Sequence, residues 1–185
     1  MSFRRIGVGF SLLLGLVALD WAWSKEVPGP VTAEVDLLCD RGYYPRVLEL
    51  LKQARKDIHA VIYYVGDPRQ ERPRAMLDAL VEAKERGLEV SVQLDGPAEG
   101  EEDRNKPACD YLKEHGIQAT YDGPEVTTHT KALVVDGEIL VLGSANWTQG
   151  ALAHNHEAGV VVRSPVLAKR LLEEFERIRK KEKGR

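Results

Sequence analysis

The residues with the clearest chemical potential lie between positions 129 and 157. His129-Thr130-Lys131 is followed by four residues and then Asp136; six residues further on comes Gly143-Ser144-Ala145-Asn146, and Glu157 lies 11 positions beyond Asn146. An imidazole can attack an electrophile or carry a proton near neutral pH. A lysine ammonium and an amide N–H₂ can hold the anionic oxygens of a phosphate and stabilise the charge that builds up in a transition state. His129 and Lys131, two positions apart at the entry to a strand, project from one face. Asp136-Gly137 between two apolar runs is a hairpin signal. The returning strand therefore brings Gly143 to Asn146 back beside His129, with Gly143 permitting a tight backbone path that small Ser144 follows.

The elements that must position these residues follow from periodicity. Glu34 to Cys39, Ile58 to Val65, Leu88 to Leu94 and Ile117 to Tyr121 read as strands, as do Lys131 to Val135, Glu138 to Leu142 and Ala158 to Arg163. Pro45 to Lys56, Arg74 to Arg86, Pro107 to His115 and Pro165 to Lys181 read as helices, with Gly87 and Gly116 as stops. Positions 96–106 form a polar, acidic loop. Strands alternate with helices in the first half and a hairpin sits in the second, which predicts an α/β fold with a mixed sheet flanked by helices.

The full pattern, His-x-Lys-x4-Asp followed by x6-Gly-Ser-x-Asn, resembles the signature of the phospholipase D superfamily. Glu157 resembles the acidic residue found downstream in the family's small bacterial nucleases. The resemblance implies a phospholipase D-like fold in which His129 attacks phosphorus and forms a phosphohistidine. A second copy of His129 protonates the leaving oxygen and then activates water. Lys131 and Asn146 bind non-bridging oxygens, Ser144 positions them, and Glu157 orients a histidine ring. The Asp136 position is mainly structural in the family and lies off the reacting centre. No metal or other cofactor is called for. Monomeric members carry two motifs and this chain carries one, so the resemblance implies a homodimer whose shared site sits on the two-fold axis.

The motif recognises a phosphodiester and not what hangs on it. A single motif, a small chain and expected export favour a nuclease acting on DNA or RNA. Hydrolysis or transfer of the phosphatidyl groups of a phospholipid membrane is the alternative. A catalytically silent binding module is the third reading, opposed by the intact His129, Lys131 and Asn146.

The 185 residues suit one catalytic domain, with 43% hydrophobic and 30% charged residues excluding a disordered chain. A net charge of −3 excludes a generally basic polynucleotide binder, so contact with nucleic acid must come from a local surface. Met1 to Arg5 carries two arginines, Ile6 to Leu19 is apolar, and Ala22-Trp23-Ser24 is a small-x-small site. Residues 1–24 thus read as an export signal or, alternatively, an N-terminal membrane anchor; residues 25–33 form a linker and 34–183 the catalytic domain. The expected location is outside the cytoplasmic membrane or attached to it. Cys39 and Cys109 either form one disulfide or stay as separate thiols. Trp147 packs in the core or lines the cleft, with core favoured; Tyr43, Tyr44, Tyr63 and Tyr64 stack bases or fill the sheet face, with packing favoured for Tyr63 and Tyr64. The basic run from Arg177 to Arg185 is a solvated helix end or, alternatively, a contact for phosphates or anionic lipid. His154 and His156, two apart, lack the spacing of a helical metal pair.

Overall fold

The computed structural model describes residues 29–183, and those from Val31 onward belong to one compact unit. The expected signal or anchor at 1–24 and the first part of the linker lie outside the described residues. Among the described residues, no helix is long and apolar enough to cross a membrane.

Seven strands form one sheet: β1 (Glu34–Cys39), β2 (Asp57–Ile62), β3 (Glu89–Leu94), β4 (Gln118–Tyr121), β5 (Lys131–Val135), β6 (Ile139–Gly143) and β7 (Ala158–Arg163). Their order is β1-β7-β6-β5-β2-β3-β4. The β2-β3-β4 half is parallel, each step crossing over through a helix: α2 (Glu71–Glu85), then α3 (Lys106–Glu114). The other half is antiparallel, which short turns can connect.

Helix α1 (Tyr43–Gln53) buries Val47, Leu50 and Leu51, and α2 buries Met76, Leu77 and Leu80, all against one face of the sheet. The opposite face carries Val61, Ala132, Val134, Leu140 and Val162, and α5 (Pro165–Lys183) covers these with Ala168, Leu172 and Phe175. Strand β5 is therefore central and buried on both faces, so Leu133 and Val134 are fully enclosed.

Two local features depart from the sequence expectation, and both shape the site. The strand expected through Val65 ends at Ile62. Beyond it the backbone leaves its ladder, touching Thr130 through a Tyr63 N–H bond of 2.7 Å and pairing Val65 with Trp147 in an isolated bridge. A short helix, α4 (Gln149–Ala153), occupies a stretch where no element was expected. Five residues carry too little periodicity to be legible; the helix is started by Thr148, whose hydroxyl accepts the Ala151 N–H at 3.2 Å. Cys39 is exposed and Cys109 buried, and both are free thiols. Trp147 is fully buried, as a packing residue should be.

Candidate active site

The stretch after β2 works as a splint between two segments of the motif. Tyr63 N–H donates to Thr130 O, between His129 and Lys131, while Trp147 N–H donates to Tyr64 O at 3.0 Å and Gly66 N–H to Trp147 O at 3.0 Å, beside Asn146. His129, Lys131 and Asn146 thus gather at the C-terminal end of β2, where parallel strands open a crevice.

His129 is exposed, with its ring 4.4 Å from that of Tyr63 at an interplanar angle of 56°. Lys131, by contrast, is only 6% exposed at the first position of the central strand. Its Nζ donates to His129 O at 2.9 Å and lies 4.5 Å from the Tyr63 ring centroid. Burial lowers the Lys131 pKa, and the nearby Asp95 and Glu157 carboxylates oppose that shift. Lys131 has no direct ion pair among the described residues, and burying an ammonium in that way is costly, as is common at functional sites.

Ser144 and Glu157 form the next layer. The Ser144 hydroxyl makes a short hydrogen bond to Glu157 Oε2 and accepts the Ala158 N–H at 3.1 Å. Glu157 is held in turn by Asp40, which stands at φ +47° where the chain turns from β1 toward α1. Asp40 Oδ1 accepts the Glu157 N–H at 2.9 Å, and Asp40 N–H donates to Glu157 O at 2.8 Å. The bond to the Glu157 backbone, with the His156 ring beside it, lowers the Asp40 pKa. The Asn146 Oδ1 atom is buried and has no hydrogen-bond partner among the described residues. As an acceptor, this oxygen can take an N–H or O–H from a ligand or a water.

Gly143 contributes space and not a special backbone angle. It pairs with Gly159 across β6 and β7, and a Cβ placed on it would lie 3.0 Å from Ala158 O and 3.1 Å from Gly159 Cα, with the Tyr43 ring at 3.5 Å. Gly143→Ala is therefore expected to destabilise the protein by about 1–3 kcal/mol and to displace Ser144. Urea unfolding, with activity per folded molecule measured alongside, checks this.

Asp136 sits at the opposite end of β5. It begins a turn in which Asp136 and Gly137 have φ of +56° and +66° and Glu138 N–H returns to Val135 O at 3.1 Å, a type I′ hairpin. Its carboxylate takes the backbone N–H groups of Arg55, Lys56 and Asp57 at 2.9, 2.7 and 3.3 Å. Asp136 thus ties the hairpin to the link between α1 and β2. Asp136→Ala is expected to cost about 2 kcal/mol in chemical denaturation, while the folded fraction keeps its turnover. A large loss of kcat at full folding would contradict a structural role.

Tyr63, read from sequence as a packing residue, instead stands half-buried as a wall of the site. Two further residues beside the motif were not singled out from sequence. Asp95 follows β3 directly and is 9% exposed; its Oδ1 accepts the Thr128 N–H at 2.7 Å, fixing the approach to His129. Burial raises the Asp95 pKa against that hydrogen bond. Its signal was legible, since an acidic residue just past an apolar parallel strand stands where such sheets form sites. Asp40 had no such signal, because its partner is more than 100 positions away. His154 and His156 are exposed; His156 Nδ1 approaches Asp40 Oδ2 at 3.2 Å.

The family described as "Cardiolipin synthase, PLD-like domain" matches residues 47–179. The mitochondrial cardiolipin hydrolase of Mus musculus is 28% identical over 82% of this chain and 64% of its own length, and that of Homo sapiens 28% identical over 83% and 60%. The chain therefore spans somewhat less than two thirds of these curated relatives. Among solved structures, the phospholipase D family member Nuc from Salmonella typhimurium superposes with a TM-score of 0.70 at 26% identity, covering 80% of this chain and 95% of Nuc. NucT from Helicobacter pylori has the same fold, with a TM-score of 0.67 at 17% identity over 80% and 97% of the two chains. This chain belongs to the phospholipase D superfamily, a family of phosphodiester chemistry.

Proposed function

We propose that this protein hydrolyses the phosphodiester bonds of nucleic acid without a metal, through a phosphohistidine on His129. The observation that carries the reading is the solvent-open His129 ring beside Tyr63, with the buried Lys131 ammonium bonded to the His129 carbonyl and the Ser144–Glu157 pair at the same end of the sheet. His129 nitrogen attacks phosphorus, and the P–O bond to the leaving group breaks. The departing oxygen takes a proton from a second histidine. That histidine then deprotonates a water, which attacks phosphorus, breaks the P–N bond and releases a phosphate monoester. Lys131 and Asn146 hold the non-bridging oxygens, Ser144 positions them, and Glu157 orients a histidine ring.

The second histidine comes from a second copy of the chain. The exposed Val35, Leu37 and Leu142, at 56%, 72% and 38% exposure, form an apolar face on the β1 side of the sheet. Leu142 stands two residues before Ser144, so an isologous contact there places two sites together. A monomeric mass by light scattering from a fully active sample would refute the shared site.

Nucleic acid is favoured by an aromatic and cationic cluster beside His129: Tyr63 against the imidazole, and the Arg104 guanidinium 5.2 Å from both the Tyr63 and Tyr64 rings. Phospholipid is the second reading, favoured by the cardiolipin hydrolase relatives. Single-stranded DNA incubated with the purified protein in excess EDTA decides between them. Cleavage that His129→Ala abolishes supports the nuclease. Cleavage of cardiolipin vesicles alone supports the lipid enzyme. The sequence of residues 1–24 supports an exported or membrane-anchored protein, which N-terminal sequencing of the mature protein would test.

A further inference from the structure

Beyond Tyr63 the site opens into a cleft of about 530 Å³ between the loops 96–105 and 122–128. Its wall includes Tyr63, Asp95, Glu101, Glu102 and Val126, and Arg104 is the one cation among the described residues that line it. Arg104 is exposed but not loose. Its guanidinium lies 5.2 Å from the ring centroids of Tyr63 and Tyr64, and its Nη2 donates to the Tyr63 hydroxyl at 2.9 Å.

The backbone under Arg104 is pinned as well. The neighbouring Asn105, 3% exposed, donates to Tyr63 O at 2.8 Å and to Asp95 O at 2.9 Å, and accepts the Val65 N–H at 2.9 Å. One amide thus locks the cleft loop to the ends of β2 and β3, beside the nucleophile. A guanidinium has five N–H donors, and the Tyr63 hydroxyl takes one of them. Arg104 forms no ion pair among the described residues; the Tyr63 bond raises its pKa, with a weaker pull from Asp95. A charged donor group held in place and left without an anion is a preorganised anion site.

Two cations approach the Tyr63 ring. Lys131 Nζ, bonded to the His129 carbonyl, is 4.5 Å from its centroid, and Arg104 Cζ, in the wall of the cleft, is 5.2 Å away. A diester held at Lys131 and His129 therefore directs one of its two substituents past Tyr63 toward Arg104. Glu101 and Glu102 repel an anion from the rest of the wall, which leaves Arg104 as the place where a second phosphate can rest.

We propose that Arg104 binds the phosphate one nucleotide away from the scissile bond, so that the enzyme prefers substrates in which two phosphates flank one sugar. This rests on the nucleic-acid reading above. It makes Arg104 a specificity residue, acting on substrate choice and not on the bond-breaking step.

The test compares thymidine oligomers with one and two phosphates, TpT and TpTpT, as the ratio of kcat/KM per bond. The wild-type ratio is expected to favour TpTpT by about tenfold, the worth of one charge-assisted contact. Arg104→Ala brings that ratio to about one, and Arg104→Lys restores part of it because a point charge lacks the guanidinium fork. A wild-type ratio near one, or a full preference kept by Arg104→Ala, overturns the proposal. So does an Arg104-dependent preference for cardiolipin over phosphatidylglycerol vesicles that has no counterpart in the oligomers, which would assign the subsite to a lipid. Hydrolysis of bis(p-nitrophenyl) phosphate, lost in His129→Ala, reports the phosphodiesterase reading separately. An enzyme that turns over this diester without a TpTpT preference loses only the Arg104 assignment; one that does not turn it over loses both.

Discussion

His129→Ala is expected to lower kcat by about 10⁴-fold or more, the scale on which loss of a covalent nucleophile is felt. The side chain is exposed, its main packing neighbour is the Tyr63 ring, and none of its side-chain atoms holds up the sheet. The unfolding midpoint should therefore stay close to wild type, which separates lost chemistry from lost fold. The covalent step has its own readout. A substrate labelled at phosphorus and quenched in acid should leave label on a peptide containing His129 in the wild type, and none in the variant. Turnover near wild type in His129→Ala would remove the nucleophile assignment outright. In mixtures of wild-type and variant chains, activity should follow the fraction of dimers with two intact histidines; a linear dependence on wild-type chain would argue against a shared site.

Lys131→Met is expected to lower kcat by about 10²–10³-fold, the range found when one preorganised charge stabiliser is removed from a transition state. Methionine fills the volume of the buried lysine stem without the ammonium. Stability should be unchanged or improved, because the variant no longer buries a charge. The pH profile adds a sharper signature. Lys131 serves as a cation only while protonated, and burial pulls its pKa below the ordinary lysine value. Activity should therefore fall on the alkaline side as pH rises through that lowered pKa. In Lys131→Arg, whose guanidinium stays charged, this limb should move to higher pH. The linked effect on stability has the opposite sense: the folded state binds fewer protons at Lys131 than the unfolded chain does. Stability consequently grows with pH between the lowered pKa and the ordinary one. An alkaline limb that persists in Lys131→Arg would assign it to another group.

The residues and the elements were legible to different degrees. The strand at Ala158 to Arg163 and the Asp136-Gly137 hairpin stood out because a run of β-branched valines and a residue pair tolerant of positive φ are local properties. The end of β2 did not, since Tyr63 to Val65 is as rich in β-formers as the strand itself. The stretch leaves its ladder only because Thr130 and Trp147 offer it two different partners. The same distinction holds within the site. Lys131 announces itself by motif spacing, while its burial is set by neighbours from other strands.

By itself the sequence determined the family, the mixed α/β class and the spacing that sets His129, Lys131, Ser144, Asn146 and Glu157 at one end of a hairpin. These depend on separations within about 30 residues, over which strand and turn geometry leaves few choices. Only the tertiary structure decided that Tyr63 walls the nucleophile, that Asp40 grips Glu157, that Gly143 is needed for its closeness to Gly159, and that Arg104 stands in the adjoining cleft. Each of these joins side chains brought together by the order of strands in the sheet. That order comes from burying two faces of the sheet at once, which no local stretch of sequence encodes.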